Sequence, residues 1–170
     1  MNHEHLLLDL ADRIRNRFYG KYRGTVTQVD ESTLRVKANV PAVLGDQESG
    51  WSVPCVPYAG PQVGMAFLPE QGAGVWIEFE GGDVSYPIWT GCYWRAGEVP
   101  SDAKPSVKAI VTKGKSKFLI DDEKKEITLS DANENNVKLS SDGVELERGG
   151  KKVQVSSSKV SVNDGGLEVV

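Results

Sequence analysis

From Glu126 onward the apolar residues come in pairs set two positions apart: Ile127/Leu129, Val137/Leu139, Val144/Leu146, Val153/Val155, Val160/Val162 and Leu167/Val169. A period of two puts both members of a pair on the same face of a β-strand. The pairs recur about every seven to ten residues, the spacing of a repeated strand. Turn chemistry separates them: Asp131-Ala-Asn-Glu-Asn135, Ser141-Asp-Gly143, Arg148-Gly-Gly-Lys151 and Asn163-Asp-Gly-Gly166. The pattern predicts a ribbon of short strands with a narrow Val/Ile/Leu face and an opposite face of Ser, Lys, Asp and Asn. One copy cannot bury that apolar face, because a lone meander has no second layer. Two arrangements satisfy it. Identical copies can wrap around a common axis filled by Ile127, Leu129, Val137, Leu139, Val144, Leu146, Val153, Val155, Val160 and Val162. Alternatively, a flat antiparallel meander packs on the rest of the chain. The polar outer face favours wrapping.

Large side chains divide the chain. All four tryptophans lie between Trp51 and Trp94, and Phe118 is the only aromatic residue after Trp94. Only the first part can fill a globular core. Residues 95–105, Arg-Ala-Gly-Glu-Val-Pro-Ser-Asp-Ala-Lys-Pro, read as the join. The expected order is an N-terminal helix (1–19), a globular domain (20–94), a linker (95–105) and a spike (106–170).

Leu6, Leu7, Leu10, Ala11, Ile14 and Phe18 recur at three- and four-residue steps, the stripe of an amphipathic helix ended by Gly20. That stripe either packs on its own domain or docks on a partner. Residues 22–29 and 33–40 alternate around the Asp30-Glu-Ser32 turn, which suggests a hairpin. Residues 51–58 contain two prolines and read as an edge or irregular strand. Val75, Ile77 and Phe79 share one face of a further strand, Gly81-Gly82 turns, and residues 85–91 return. Five strands in this span predict a small closed barrel of the OB type.

Charge and chemistry narrow the function. The net charge is −4 and the pI about 5.3. An OB module binding single-stranded nucleic acid is the alternative reading, with the tryptophans as stacking platforms. No Lys or Arg lies between Trp51 and Trp94, however, while Glu70, Glu78, Glu80 and Asp83 do. A phosphate chain would be repelled there. No apolar run reaches the length of a membrane span, and no secretory leader is expected. The only histidines, His3 and His5, precede the first folded element, so Cys55 and Cys92 have no base partner. Both thiols are expected to be packed and reduced. Gly72-Ala-Gly74 precedes a strand, not a helix, and is no phosphate cradle. No catalytic, metal or cofactor residue is assigned, and an enzyme is not expected.

The runs Tyr22-Arg-Gly-Thr-Val-Thr-Gln-Val29, Leu34-Arg-Val-Lys-Ala-Asn-Val-Pro41 and Trp51-Ser-Val-Pro-Cys-Val-Pro-Tyr-Ala-Gly60 occur in one order with Phe67-Leu-Pro-Glu70 and Tyr86-Pro-Ile-Trp-Thr-Gly-Cys-Tyr-Trp94. Over residues 20–94 this resembles the OB-fold domain of the contractile-tail central spike family. That family comprises phage baseplate assembly protein V, cell-puncturing spikes and the spike part of type VI secretion valine-glycine-repeat proteins. The C-terminal repeat is similar in pattern to that family's needle. The resemblance implies an all-β homotrimer ending in an intertwined trimeric β-helix. It implies a structural role at the baseplate of a virion or injection particle, assembled after synthesis in the bacterial cytoplasm. A ring-shaped hub is implied above the OB domains, and the stripe Leu6, Leu7, Leu10 and Ile14 is its expected contact. Leu167, Val169 and Val170 would present an apolar triangle at the tip. This either docks a cap of the proline-alanine-alanine-arginine type or simply ends the chain. The target membrane is met only on contraction. Two departures stand out. The join is too short for a muralytic domain, and the His-x-His metal tip of some relatives is missing from Gly165-Gly-Leu-Glu-Val-Val170.

Overall fold

The computed structural model describes Ala11 and residues 14–170. His3, His5, Leu6, Leu7 and Leu10 therefore lie outside the described residues. Ala11, Ile14 and Arg15 are helical, and Ile14 is exposed. The segment that follows is anchored on the first unit. The Phe18 amide donates to the Gly82 carbonyl at 2.8 Å, and Arg17 pairs with Asp83 at 3.1 Å. The Phe18 ring meets Tyr22 and Phe79 edge-on.

The chain forms two compact units, divided between Glu98 and Val99. The first contains β1 (Tyr22–Asp30), β2 (Arg35–Asn39), a helical turn (Pro41–Leu44), β3 (Val53–Pro54), β4 (Ala59–Gly60), β5 (Val63–Gly64), β6 (Gly74–Phe79) and β7 (Pro87–Tyr93). Five strands make one sheet in the order β2-β1-β6-β7-β3, with β3 parallel to β7 and the other pairs antiparallel. The sheet curls until its edges meet. The Ser52 amide donates to the Val36 carbonyl at 2.8 Å, and the return bond measures 3.4 Å. The closed sheet has the form of an OB barrel. Its core is the inward set Val26, Val36, Ala38, Val40, Val75, Ile77, Phe79 and Trp89.

Local chemistry explains the boundaries. Asp30 caps the β1–β2 turn, accepting bonds from the Ser32 amide and hydroxyl and from the Thr33 hydroxyl. These bonds push its pKa down to about 2. β3 is only two residues long, since Pro54 and Pro57 cannot donate to a ladder. Cys55 and Cys92 are free and exposed, contrary to the packed thiols expected. Cys55 follows the short edge strand β3, which buries no residue fully, and β7 buries Pro87 and Trp89 and has left the core by Cys92.

The second unit is one eight-stranded antiparallel meander in strict chain order. Its strands are β8 (Val107–Val111), β9 (Lys117–Asp121), β10 (Glu126–Ser130), β11 (Asn135–Ser140), β12 (Gly143–Arg148), β13 (Lys151–Val155), β14 (Val160–Val162) and β15 (Leu167–Val169). The last six carry the repeated pairs; β8 and β9 were not foreseen. Gly143 opens β12 with φ +123°, and a Cβ there would lie 2.0 Å from the Val155 carbonyl oxygen, so only glycine fits.

Barrel closure is equally intolerant at Gly74. A Cβ there would fall 2.8 Å from the Tyr93 carbonyl oxygen and 2.9 Å from its ring. Gly74→Ala is expected to cost roughly 1–3 kcal/mol of barrel stability through overpacking. Denaturant unfolding followed by tryptophan fluorescence checks this, since all four tryptophans lie in this unit.

Candidate trimerisation face

The register of the meander turns the apolar pairs into two rows. Ile110, Phe118, Leu129, Val137, Leu146, Val153, Val162 and Leu167 are cross-strand partners in succession across all eight strands. Ile120, Ile127, Leu139, Val144, Val155, Val160 and Val169 form the second row in the same way. Paired residues in an antiparallel ladder project to the same side. One face of the ribbon therefore carries two continuous apolar rows, flanked on the same side by Asn135, Arg148 and Lys151. Lys108 alone breaks the pattern, opposite Ile120 at the start of the second row, where it pairs with Asp122.

All ten residues expected in the trimer core fall on this face. Leu167 and Val169, read from the sequence as tip contacts, extend the same two rows opposite Val162 and Val160, and Val170 is fully exposed beyond them. Sequence reasoning missed Ile110, Phe118 and Ile120. Around them Val107, Ala109, Val111 and Leu119 occupy the other face. With both faces apolar there is no alternation to read.

Exposure is inverted relative to an ordinary sheet. Leu129, Leu139, Val144, Leu146, Val155, Leu167 and Val169 are exposed in the single chain, up to 61% at Leu167 and Val169, whereas Ser161 on the polar face is only 8% exposed. A shallow groove of about 650 Å³ runs along the apolar side, bordered by Leu129, Val137, Leu146, Val153 and Val162. The polar face is knitted by ion pairs between strands. Lys138 meets Glu126 at 3.0 Å, Lys152 lies 2.6 Å from Asp164 and 3.7 Å from Glu145, and Lys159 pairs with Glu168. The bond to Glu126 raises the Lys138 pKa, and the bond to Asp164 raises that of Lys152. These pairs are solvated and contribute little singly. They make the polar face self-sufficient, while burying each aliphatic side chain would add about 1.5–3 kcal/mol if complete. The remaining demand of the ribbon is a cover for its aliphatic face.

Among the described residues there is no group of three metal-ligating side chains, and no helix is long and apolar enough to cross a membrane. Three of the four tryptophans are engaged, while Trp94 is exposed. Trp89 is buried and donates to the Leu34 carbonyl at 3.2 Å. Arg23 covers Trp76, and Lys37 covers Trp51.

An OB barrel followed by a meander with an unpaired aliphatic face defines a class of structural protein completed by self-association. Comparison with known families agrees. Residues 22–94 match the type VI secretion system/phage-baseplate injector OB domain, and residues 108–168 match the phage baseplate V C-terminal trimerisation domain. No curated protein matches the chain. The two domain matches together span most of the sequence, and the chain belongs to the phage baseplate V family of contractile-tail central spike proteins. The family gives it a structural role at a phage or injection-particle baseplate, and the trimerisation domain supports a homotrimer.

Asp131 holds the turn between β10 and β11, accepting bonds from the Asn133 amide at 2.8 Å and from the Asn135 amide and side chain at 3.1 and 2.7 Å. These bonds hold its carboxyl well below the usual range. A carboxylate depressed on folding stabilises above its unfolded pKa of about 3.9, and that stabilisation fades as pH falls towards the folded value. Melting temperature measured from pH 5 downward should therefore drop more steeply in the wild type than in Asp131→Ala.

Proposed function

We propose that the chain is the central spike that links a ring-shaped baseplate hub to the tip of the machine and pierces the target envelope on contraction. The observation that carries this reading is the pair of aliphatic rows left exposed on an otherwise self-sufficient ribbon. Three ribbons wrapped with those rows inward would make a dry axis and an intertwined needle. Ile127, Leu129, Val137, Leu139, Val144, Leu146, Val153, Val155, Val160 and Val162 would fill the axis, joined by Ile110, Phe118 and Ile120. Such a rod suits a mechanical load. Its sheets present no flat apolar edge, and no strand can leave without exposing the axis.

The proposed organisation keeps the helix (1–19), OB domain (20–94), linker (95–105) and spike (106–170) as successive parts. The stripe Leu6, Leu7, Leu10 and Ile14 would meet the hub. Leu167, Val169 and Val170 would receive a separate cap of the proline-alanine-alanine-arginine type. Synthesis would take place in the bacterial cytoplasm, with membrane contact only on contraction. The work is mechanical rather than catalytic, and calls on neither metal nor cofactor. Nucleic-acid binding is the weaker reading, given the excess of acidic over basic residues between Gly20 and Trp94 and the engagement of Trp51, Trp76 and Trp89.

Three chains of 18.5 kDa give 55.5 kDa, the mass light scattering should report at micromolar concentration. Val153→Asp should abolish that species, because threefold symmetry would place three carboxylates on one dry axis. A folded monomer of the wild type would refute the needle. Removing residues 1–16, which keeps the anchoring Arg17 and Phe18, should leave a trimer that fails to enter particles. Removing Leu167 to Val170 should leave a trimer that no longer co-purifies with the cap; retained cap binding would remove the docking role.

A further inference from the structure

The first unit has a surface that neither the barrel core nor the needle accounts for. Trp51 to Pro69 is a run without a single charged residue. It contains the β4–β5 hairpin, where Ala59 pairs with Gly64 and Gly60 with Val63, and the Met65 amide donates to the Tyr58 carbonyl at 2.9 Å. Pro61 and Gln62 form the tip, and Gln62 takes φ +61°, a left-handed value that a glycine would adopt without strain. The hairpin presents side chains a soluble domain normally shields: Tyr58 is 59% exposed, Phe67 58% and Met65 46%. Beneath it runs a groove of about 520 Å³ bordered by Leu34, Val56, Leu68 and Trp89. Leu34 is itself held at φ +55°, unusual for a bulky residue, with its carbonyl tied to the Trp89 indole. An uncharged surface that exposes Tyr58, Met65 and Phe67 together has the composition of an interface core.

We infer that this hairpin is a second trimer interface, seated on the OB unit of a neighbouring copy of the same chain. The inference rests on the trimer reading of the C-terminal unit. That unit begins at Val99, directly after the barrel unit ends, so trimerisation tethers three OB units together at high local concentration. The copies are alike in charge: four basic and eight acidic residues lie between Gly20 and Trp94. Like-charged copies repel wherever those residues face each other. The 51–69 surface is the long stretch on which an identical unit can approach without that cost. A tethered copy is present in every assembled molecule, and an apolar surface of this size gains from being covered by it.

Hydroxyl-radical footprinting of the full-length protein tests the assignment, because the same unit supplies its own controls. Tyr86 and Tyr19 are 62% and 71% exposed, comparable with Tyr58. In the wild-type trimer Tyr58, Met65 and Phe67 should be labelled several-fold more slowly than Tyr86 and Tyr19. Phe67→Asp, a change at an exposed position, should restore fast labelling of Tyr58 and Met65 while light scattering still reports a trimer. A photo-crosslinker installed at Tyr58 should give chain–chain dimers and trimers on denaturing gels. Labelling of Tyr58 at parity with Tyr86 in a sample of trimeric mass would overturn this inference and leave the needle standing. Protection that arises only when a hub protein is added would overturn it in favour of a hub contact. A monomeric mass would overturn both readings together.

Discussion

An apolar face that no described residue of its own unit covers governs this molecule. In the barrel, eight inward residues are buried by the curl of one sheet, and closure through Ser52 and Val36 removes the open edges. The meander uses the same alternation but stays a single layer. Its strands satisfy one another's backbone groups, and its lysines and carboxylates satisfy the polar face. What remains is a hydrophobic demand for a second layer, and the trimerisation-domain match favours further copies of the chain as that layer. In the proposed trimer the two units obtain their cores by different routes, one within the chain and one between chains.

This division explains the composition. A cis core of modest size uses bulky groups to fill a closed volume, and Trp89, Phe79 and Ile77 do so here. A face repeated around a symmetry axis meets its own image, so every side chain there must tolerate two identical neighbours at the same height. Val, Ile and Leu do this without polar atoms and with few rotamers. Charge on that face would be tripled on assembly. Within the two rows the exception is Lys108, which stands at the first strand and has Asp122 beside it, while Arg148 and Lys151 flank the rows on the same face.

Much of this was legible in the sequence, and the limits have physical causes. The hairpin of β1 and β2, the strand β6 and the repeated pairs all show clean alternation, because one face is buried and the other solvated. The proline-rich stretch was legible as irregular, and it contributes only the two-residue edge strand β3. β8 and β9 were missed because Val107, Ala109, Val111 and Leu119 make the second face apolar as well, which hides the period of two. The thiols were misread because residue type alone does not tell where along a strand the core ends. The register that aligns the successive pairs into two continuous rows depends on turn lengths that composition does not reveal. Nor does the sequence order alone show that Tyr58 and Phe67 stay exposed when Trp89 and Val26 are buried.

The order of side chains along the two rows bears on how such a needle would work. The rows begin with Ile110, Phe118 and Ile120, pass through Leu129, Ile127, Leu139 and Leu146, and reach Val153, Val155, Val160 and Val162. Val137, Val144 and Leu167 interrupt the trend, but bulk declines on average towards the C-terminus. Around a threefold axis the separation of chains is set by what lies between them, since protein interiors pack without voids. In the proposed trimer three phenylalanines at one level would hold the ribbons further apart than three valines at another. The axis would narrow along its length, and the rod would taper towards the end that meets the target. A taper written in side-chain volume needs no change of backbone, only a gradient of methylene groups along rows that the register already aligns.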